Sequence, residues 1–211
     1  MYYPLMDEGS RDVTVFVLAG GKSTRMGTDK AFVQFEGRTL LQHALELGRS
    51  ITADVRIVGA QERFARFAPV VEDIFRERGP LGGIHAALRA SETELNLILA
   101  VDMPFVSLAF LQHLIGIARI ANVATVVVPR TGGRWQPLCA VYRRSFGVVA
   151  EKALLAGANK IDLLFNVAET RVIDDGELDR AGFTSNIFRN INTCEELLRN
   201  ASKEPETQAL Q

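Results

Sequence analysis

Cysteine is scarce in this chain. Only Cys139 and Cys194 occur, far apart and outside any ligand spacing, so neither a disulfide framework nor a zinc site is expected. Long hydrophobic runs are missing too: no stretch approaches the ~20 uninterrupted apolar residues of a membrane span, and no membrane partner is expected. Residues Met1 to Asp12 include acidic side chains and lack an apolar core, which argues against a secretory signal and for a cytoplasmic protein. Charge of one sign is not in excess. The 24 basic and 25 acidic residues give a formal net charge of −1, which speaks against broad nucleic-acid binding and leaves anion recognition to local groups. Repeats, low-complexity tracts and linkers are absent. One domain is therefore expected over residues 13–200, preceded by an N-terminal extension, 1–12, and followed by a flexible tail, 201–211.

What is present is concentrated near the start. The run Val13 to Val17 has the apolar and β-branched content of a strand buried on both faces, and it leads into Leu18-Ala19-Gly20-Gly21-Lys22-Ser23-Thr24-Arg25-Met26-Gly27-Thr28-Asp29-Lys30. Two glycines at a strand end let backbone pass close to a ligand, and Arg25 and Lys30 add positive charge suited to a polyphosphate. A nucleoside triphosphate is the expected occupant. The segment Gly21-Lys22-Ser23 mimics the tail of a P-loop, but that motif needs glycine at position 16, where Phe16 stands inside the strand.

Strands and helices then alternate, with strands at Asp54–Val58, Val70–Val71, Asn96–Val101, Ala124–Val128, Leu138–Tyr142 and Glu169–Ile173. Helices are expected after Thr39, from Gln61 to about Phe67, through Gly79-Pro80-Leu81-Gly82-Gly83 to Leu88, from Ser107 to Ile120, from Ser145 to Ala156, from Lys160 to Phe165 and after Thr193. Such alternation predicts a mostly parallel sheet with helices on both faces and ligands beyond the carboxyl ends of its strands. Gly79 and Pro80, at a helix start, leave amides able to face a ligand there.

Asp102 directly follows the most hydrophobic strand and precedes Met103-Pro104, so it is a rigidly placed oxygen ligand of the kind magnesium uses together with substrate phosphates. Ser107 is the better helix cap, which leaves Asp102 for the metal. Phosphoryl-type transfer needs charge neutralisation more than a nucleophilic side chain, so Arg25, Lys30 and Asp102 suffice as catalytic groups. His43, His85 and His113 all fall in helical patterns and are expected at the surface or in packing. The cluster Arg130, Arg134, Trp135 and Gln136 suits a flat anionic ligand, or else is a solvent-facing loop around one buried tryptophan.

The motifs Leu18-Ala19-Gly20-Gly21-x-Ser23-x-Arg25-Met26-Gly27-x-Asp29-Lys30, Gly79-Pro80-Leu81-x-Gly83, Asp102-Met103-Pro104, Gln136-Pro137-Leu138 and Asn190-x-Asn192-Thr193 occur in that order. Together they resemble the molybdenum cofactor guanylyltransferases over about residues 13–200. The resemblance implies a three-layer Rossmann-like nucleotidyltransferase fold. It also implies transfer of GMP from Mg-GTP to the terminal phosphate of molybdopterin, releasing pyrophosphate. Carried over, Leu18, Ala19, Gly20 and Gly21 would contact the nucleotide, Lys30 its phosphates, Asp73 and Gly79 the GTP, and Asp102 the Mg2+. By looser alignment Gln61 would contact the nucleoside, with Asn190 and Asn192 toward the pterin. Transient contact with molybdoenzymes or other cofactor-biosynthesis proteins is a further expectation. Related enzymes that use CTP often carry alanine in place of Gly20, so glycine favours GTP. Cys194 stands where the family often has proline. The alternatives are a relative acting with CTP or on a sugar or isoprenoid phosphate, and a non-catalytic nucleotide-binding carrier.

Overall fold

The computed structural model describes residues 12–20 and 29–190. In chain order the strands are β1 (Val13–Leu18), β2 (Gln34–Phe35), β3 (Arg38–Thr39), β4 (Val55–Val58), β5 (Val70–Val71), β6 (Leu95–Ala100), β7 (Val126–Thr131), β8 (Arg134–Trp135), β9 (Cys139–Arg143) and β10 (Thr170–Ile173). The helices are α1 (Leu40–Arg49), α2 (Gln61–Phe64), α3 (Gly79–Ala90), α4 (Leu108–Ile120), α5 (Phe146–Leu155) and α6 (Asp175–Arg180), with 3-10 turns at Lys30–Phe32, Ile161–Asn166 and Ser185–Phe188.

The main sheet runs β10-β7-β9-β6-β1-β4-β5, with β8 paired to β7. Every pairing along this path is parallel except those of β9, which is antiparallel to both β6 and β7. The carboxyl ends of β5, β4, β1 and β6 therefore share one rim with the beginning of β9. The central strands β1 and β6 are buried at every residue, as their mostly apolar sequences lead one to expect, and the polar exceptions Thr14 and Asn96 are hydrogen-bonded.

Side-chain alternation splits the core into two layers. Val13, Val15, Val17, Leu97 and Leu99 pack with α1, α4 and Leu178 of α6, whereas Phe16, Leu18, Ile98 and Tyr142 pack with α3, α5 and the Ile161–Asn166 turn. This is a three-layer α/β fold with helices on both faces of the sheet. Cys139 is buried at its centre, and burial pushes its thiol pKa well up, as suits a packing residue.

Local signals act where expected. Thr39 caps α1 through a full capping box, its hydroxyl accepting from the Gln42 N–H at 3.2 Å while the Gln42 side chain accepts from the Thr39 N–H at 2.9 Å. Ser107 caps α4 by accepting from the Phe110 N–H at 3.2 Å. The helix after Gln61 is shorter than its sequence suggests, ending at Phe64 where Ala65 caps it. The β2–β3 hairpin, with Glu36 and Gly37 both at positive φ, and the short polar helix α6 are additions to the expected pattern. The extension before Asp12, the helix after Thr193, Cys194 and the tail 201–211 lie outside the described residues.

Candidate active site

The rim described above opens on a cleft of about 660 Å³, within the usual size range of small-ligand sites. In the order of the sheet, it receives Asp73 after β5, Val58 from β4, Leu18, Ala19 and Gly20 from β1, Asp102 after β6, and Leu138 before β9. Gly79, Pro80 and Gly83 from the start of α3 line it too, with Asp29, Lys30 and Glu77.

Asp102 is placed by backbone bonds on both sides of its strand. The Ala100 N–H donates to Leu138 at 2.8 Å and the Val101 N–H donates to Leu18 at 3.1 Å. Met103 and Pro104 are buried immediately behind it, so the carboxylate is anchored at the rim. Lys30 arrives from 72 residues earlier. Its ammonium donates to Asp102 Oδ2 at 3.0 Å, with the two side chains 30% and 17% exposed. The Lys30–Phe32 turn is itself pinned: Asp29 accepts from the Ala31 N–H at 3.2 Å and forms an ion pair with Arg63 of α2, while Ala31 is fully buried. The lysine and the carboxylate, expected from the sequence at the phosphates and the metal respectively, meet in one partly solvated place.

Asp73 sits at the other end of the rim. Its carboxylate lies against Gly82 and Gly83 near the start of α3, since a Cβ at those positions would come 3.8 Å from Oδ2 and 3.5 Å from Oδ1 respectively. Burial holds its carboxyl pKa above the ordinary value. The start of α3 carries Pro80 in its first turn, no side-chain cap, and positive φ at both Glu77 (62°) and Gly79 (61°). Glu77 is a cleft residue that sequence reasoning passed over; the available signal was an acid two positions before Gly79-Pro80. Its left-handed backbone is uncommon for a side-chain-bearing residue and has no sequence signature.

The strand-end backbone offers less than its glycines suggested. The N–H groups of Ala19 and Gly20 both donate to the Val58 carbonyl, at 3.0 and 3.1 Å, and the Leu18 carbonyl accepts from Val101. Gly20 nevertheless has room for a side chain, because among the described residues an added Cβ would make ordinary van der Waals contact with Gly59 at 3.5 Å and Val58 at 3.6 Å.

Other expected residues are distributed differently. Gln61 is exposed and is not among the cleft-lining residues; its N–H donates to Glu72 at 3.1 Å. Asn190 is exposed at the end of the described chain, next to Arg189, whose guanidinium stacks 4.7 Å over Phe105 in the loop after Asp102. Gly21, Arg25 and Asn192 lie outside the described residues. Arg130 stacks 4.9 Å over Trp135, which also packs against Phe165 at 4.9 Å, and the Gln136 amide donates to Thr131 at 3.1 Å. Trp135 is therefore a half-buried hairpin residue already flanked by two side chains. All three histidines lie in helices, and His85 is 1% exposed between α3 and α5.

The donor set for a metal is narrow. Among the described residues no group of three or more His, Cys, Asp and Glu could hold an ion. Asp102 alone would leave most of a cation's coordination to water and to a bound ligand's oxygens, which is the habit of magnesium at phosphate sites.

Known proteins resemble this chain in both sequence and fold. The family described as the MobA-like NTP transferase domain matches residues 15–166. The molybdenum cofactor guanylyltransferase of Desulfosudis oleivorans is 36% identical over 188 residues, covering 88% of this chain and 92% of the relative. The protein of the same name from Syntrophotalea carbinolica is 30% identical over 182 residues, covering 85% and 86%. The crystal structure of molybdopterin-guanine dinucleotide biosynthesis protein A from Archaeoglobus fulgidus superposes with a TM-score of 0.77 at 30% identity, covering 90% of this chain and all of that one.

Proposed function

The chain belongs to the MobA-like NTP transferase family and is a nucleotidyltransferase, and from that premise we propose that it transfers GMP from Mg-GTP to the terminal phosphate of molybdopterin, free or molybdenum-bound. The products are molybdopterin guanine dinucleotide and pyrophosphate. The observation that carries this reading is the meeting of Lys30 and Asp102 at 3.0 Å on the same rim as Gly20 and the start of α3.

From Asp73 at the end of β5 to Asp102 at the end of β6 the rim crosses three strand spacings, about 14 Å, enough to lay out a base, a ribose and a phosphate chain. The acidic end, with Asp73 and Glu77, suits the N–H donors of guanine, and the Lys30 end suits phosphate. Bound at Asp102, Mg2+ would supply charge neutralisation to the triphosphate. Lys30 binds phosphate oxygens, Asp102 orients the metal-nucleotide complex, and Arg25, carried over from the family motif, stabilises the departing pyrophosphate. The acceptor phosphate is already ionised at neutral pH, so no histidine is required. Asn190 belongs to the acceptor side in this reading, beside Arg189 that stacks over Phe105, and Asn192 is assigned there from the family motif alone.

The test is incubation of the protein with molybdopterin, Mg2+ and either GTP or CTP, followed by mass detection of the product. Guanine dinucleotide is the expected product. Formation of the cytosine dinucleotide instead would overturn the base assignment, and no dinucleotide from either would overturn the reaction.

A further inference from the structure

Arg189 is exposed, yet both its backbone and its guanidinium are held in place. After the Ser185–Phe188 turn the chain is extended at Arg189 (φ −66°, ψ 126°), and its N–H donates to the Asn186 carbonyl at 3.2 Å. Phe188 before it is buried, its ring 5.3 Å from that of Phe110. The Arg189 guanidinium stands 4.7 Å from the ring centroid of Phe105, and Phe105 is set in turn by Phe35, whose ring meets it edge to face at 5.5 Å.

Phe105 joins this arginine to the reacting end of the cleft. It follows Asp102 by three residues, in the turn that the Val106 N–H closes on the Met103 carbonyl at 3.3 Å. The Cα atoms of Asp102 and Phe105 are therefore at most about 11 Å apart. Phe35 stands in β2, the first strand after the turn that carries Lys30. The segments that bear the Lys30–Asp102 pair thus also bear the two rings that seat the guanidinium.

On that flank a positive charge has a task that no group named so far performs. The terminal phosphate of the acceptor, a monoester, carries about −1.5 to −2 charges at neutral pH. It has to come beside a triphosphate and the Asp102 carboxylate. Lys30, Arg25 and Mg2+ serve the donor nucleotide in the reading above, and the asparagine amides on the acceptor side are neutral. We infer that Arg189 binds the acceptor phosphate and holds it against the α-phosphate of the nucleotide. The inference rests on the transfer reaction proposed above. As an oxygen of the held phosphate forms its bond to the α-phosphorus, the bond from that phosphorus to the bridging oxygen of pyrophosphate breaks. No proton has to leave the attacking oxygen. Stacking uses the face of the guanidinium and hydrogen bonding its edge, where several N–H donors allow a phosphate to be taken alongside other partners.

The experiment is steady-state kinetics of dinucleotide formation by the full chain as wild type, Arg189→Gln, Arg189→Lys, Phe105→Leu and the Arg189→Gln/Phe105→Leu double variant. Molybdopterin and GTP are varied in turn, and dephosphorylated molybdopterin serves as a competitive inhibitor. Arg189→Gln should raise the KM for molybdopterin about tenfold to a hundredfold while GTP affinity by calorimetry stays unchanged. Arg189→Lys keeps the charge but not the planar fork, and recovers part of the loss. Phe105→Leu should raise the same KM by less, and add little in the Arg189→Gln background, because the ring acts through the guanidinium. The dephosphorylated pterin, which lacks the group that Arg189 binds, should inhibit wild type and Arg189→Gln equally. An unchanged KM for molybdopterin in Arg189→Gln overturns the inference, as does weaker inhibition of that variant by the dephosphorylated pterin. A KM for GTP that rises in step with that for molybdopterin would make Arg189 a support of the fold and overturn it too. Absence of any dinucleotide from the wild type would instead remove the transfer reaction itself, and the acceptor site with it.

Discussion

The carboxylate of Asp73 rests against the backbone of Gly83, close enough that a methyl group on that glycine would stand 3.5 Å from Oδ1, 3.5 Å from Leu18 and 3.3 Å from Val58. Val58 would have to give by a few tenths of an ångström, while Asp73 and Leu18 would be brought into ordinary contact with the new methyl. Gly83→Ala is expected to weaken GTP binding about threefold to tenfold. Its melting temperature should change little, because the helical gain of alanine over glycine, about 1 kcal/mol, offsets the crowding. An unchanged GTP affinity by calorimetry would dissociate Asp73 from the nucleotide.

Asp73 itself is held at a cost. Burial raises its carboxyl pKa, so the folded state binds the proton more readily than the unfolded chain does, and the residue lowers stability as pH rises through its folded pKa. Asp73→Asn removes that cost. The variant should melt about 2–4 °C higher at pH 7 while losing roughly tenfold in GTP affinity. A variant that melts lower would show that the ionised carboxylate supports the fold.

Gly20 separates protein effects from ligand effects. Its surroundings accept a Cβ at 3.5 Å and its φ is not positive, so Gly20→Ala should leave stability within about 0.5 kcal/mol. Any functional change must then arise at the nucleotide. The expected result is a fall of about tenfold in kcat/KM with GTP relative to CTP. Equal effects on the two nucleotides would remove Gly20 from base selection.

Asp102→Ala should lower turnover by about 10³-fold or more while sparing GTP affinity measured without metal, and Lys30→Ala should weaken GTP binding about tenfold or more. Turnover unaltered in the first, or affinity unaltered in the second, would disconnect the pair at the rim from the chemistry.

His85 gives the fold a pH dependence unrelated to turnover. Its imidazole is buried beside the Phe75 ring at 5.1 Å, and Glu151 Oε1 lies 3.8 Å away. Burial, aided by Arg89, lowers its pKa, and Glu151 only partly opposes this. The unfolded chain therefore binds the proton more readily, and stability is lost as pH falls from about 6.5 toward the folded pKa. Urea denaturation between pH 7.5 and 5.5 should show this decline in the wild type and a flatter profile in His85→Leu. Identical slopes would mean that other groups set the dependence.

Much of this molecule was legible before any coordinates. The strands β1 and β6 announce themselves by apolar sequence, because both faces are buried, and Thr39 and Ser107 mark helix starts with their own hydroxyls. The Gly-rich loop that ends at Lys30 and the carboxylate of Asp102 were expected on one rim because the loop and Asp102 each follow a strand. Other features carry no such mark. The reversed direction of β9 leaves its residues as apolar as a parallel strand would. The two-residue strands β2, β3 and β8 are too short for alternation to register, and α6 is a polar helix without an apolar stripe. Glu77 is in the cleft because the chain turns left-handed there, a property of the loop as a whole. The amides of Ala19 and Gly20 are occupied by Val58, a partner distant in sequence that only folding supplies.

The reversal of β9 has a lasting consequence for how such a cleft can diversify. Because this strand runs against its neighbours, the segment preceding it, residues 132–138, reaches the mouth of the cleft, while β1, β6 and the carboxylate at position 102 stand on separate pieces of chain. Insertions or exchanges in that short segment reshape the wall beside Leu138, and because the Leu138 carbonyl accepts from the Ala100 N–H at 2.8 Å they also bear on the strand end that carries Asp102. One carbonyl thus joins the wall of the cleft to the anchor of its carboxylate, and a change in either is felt in the other.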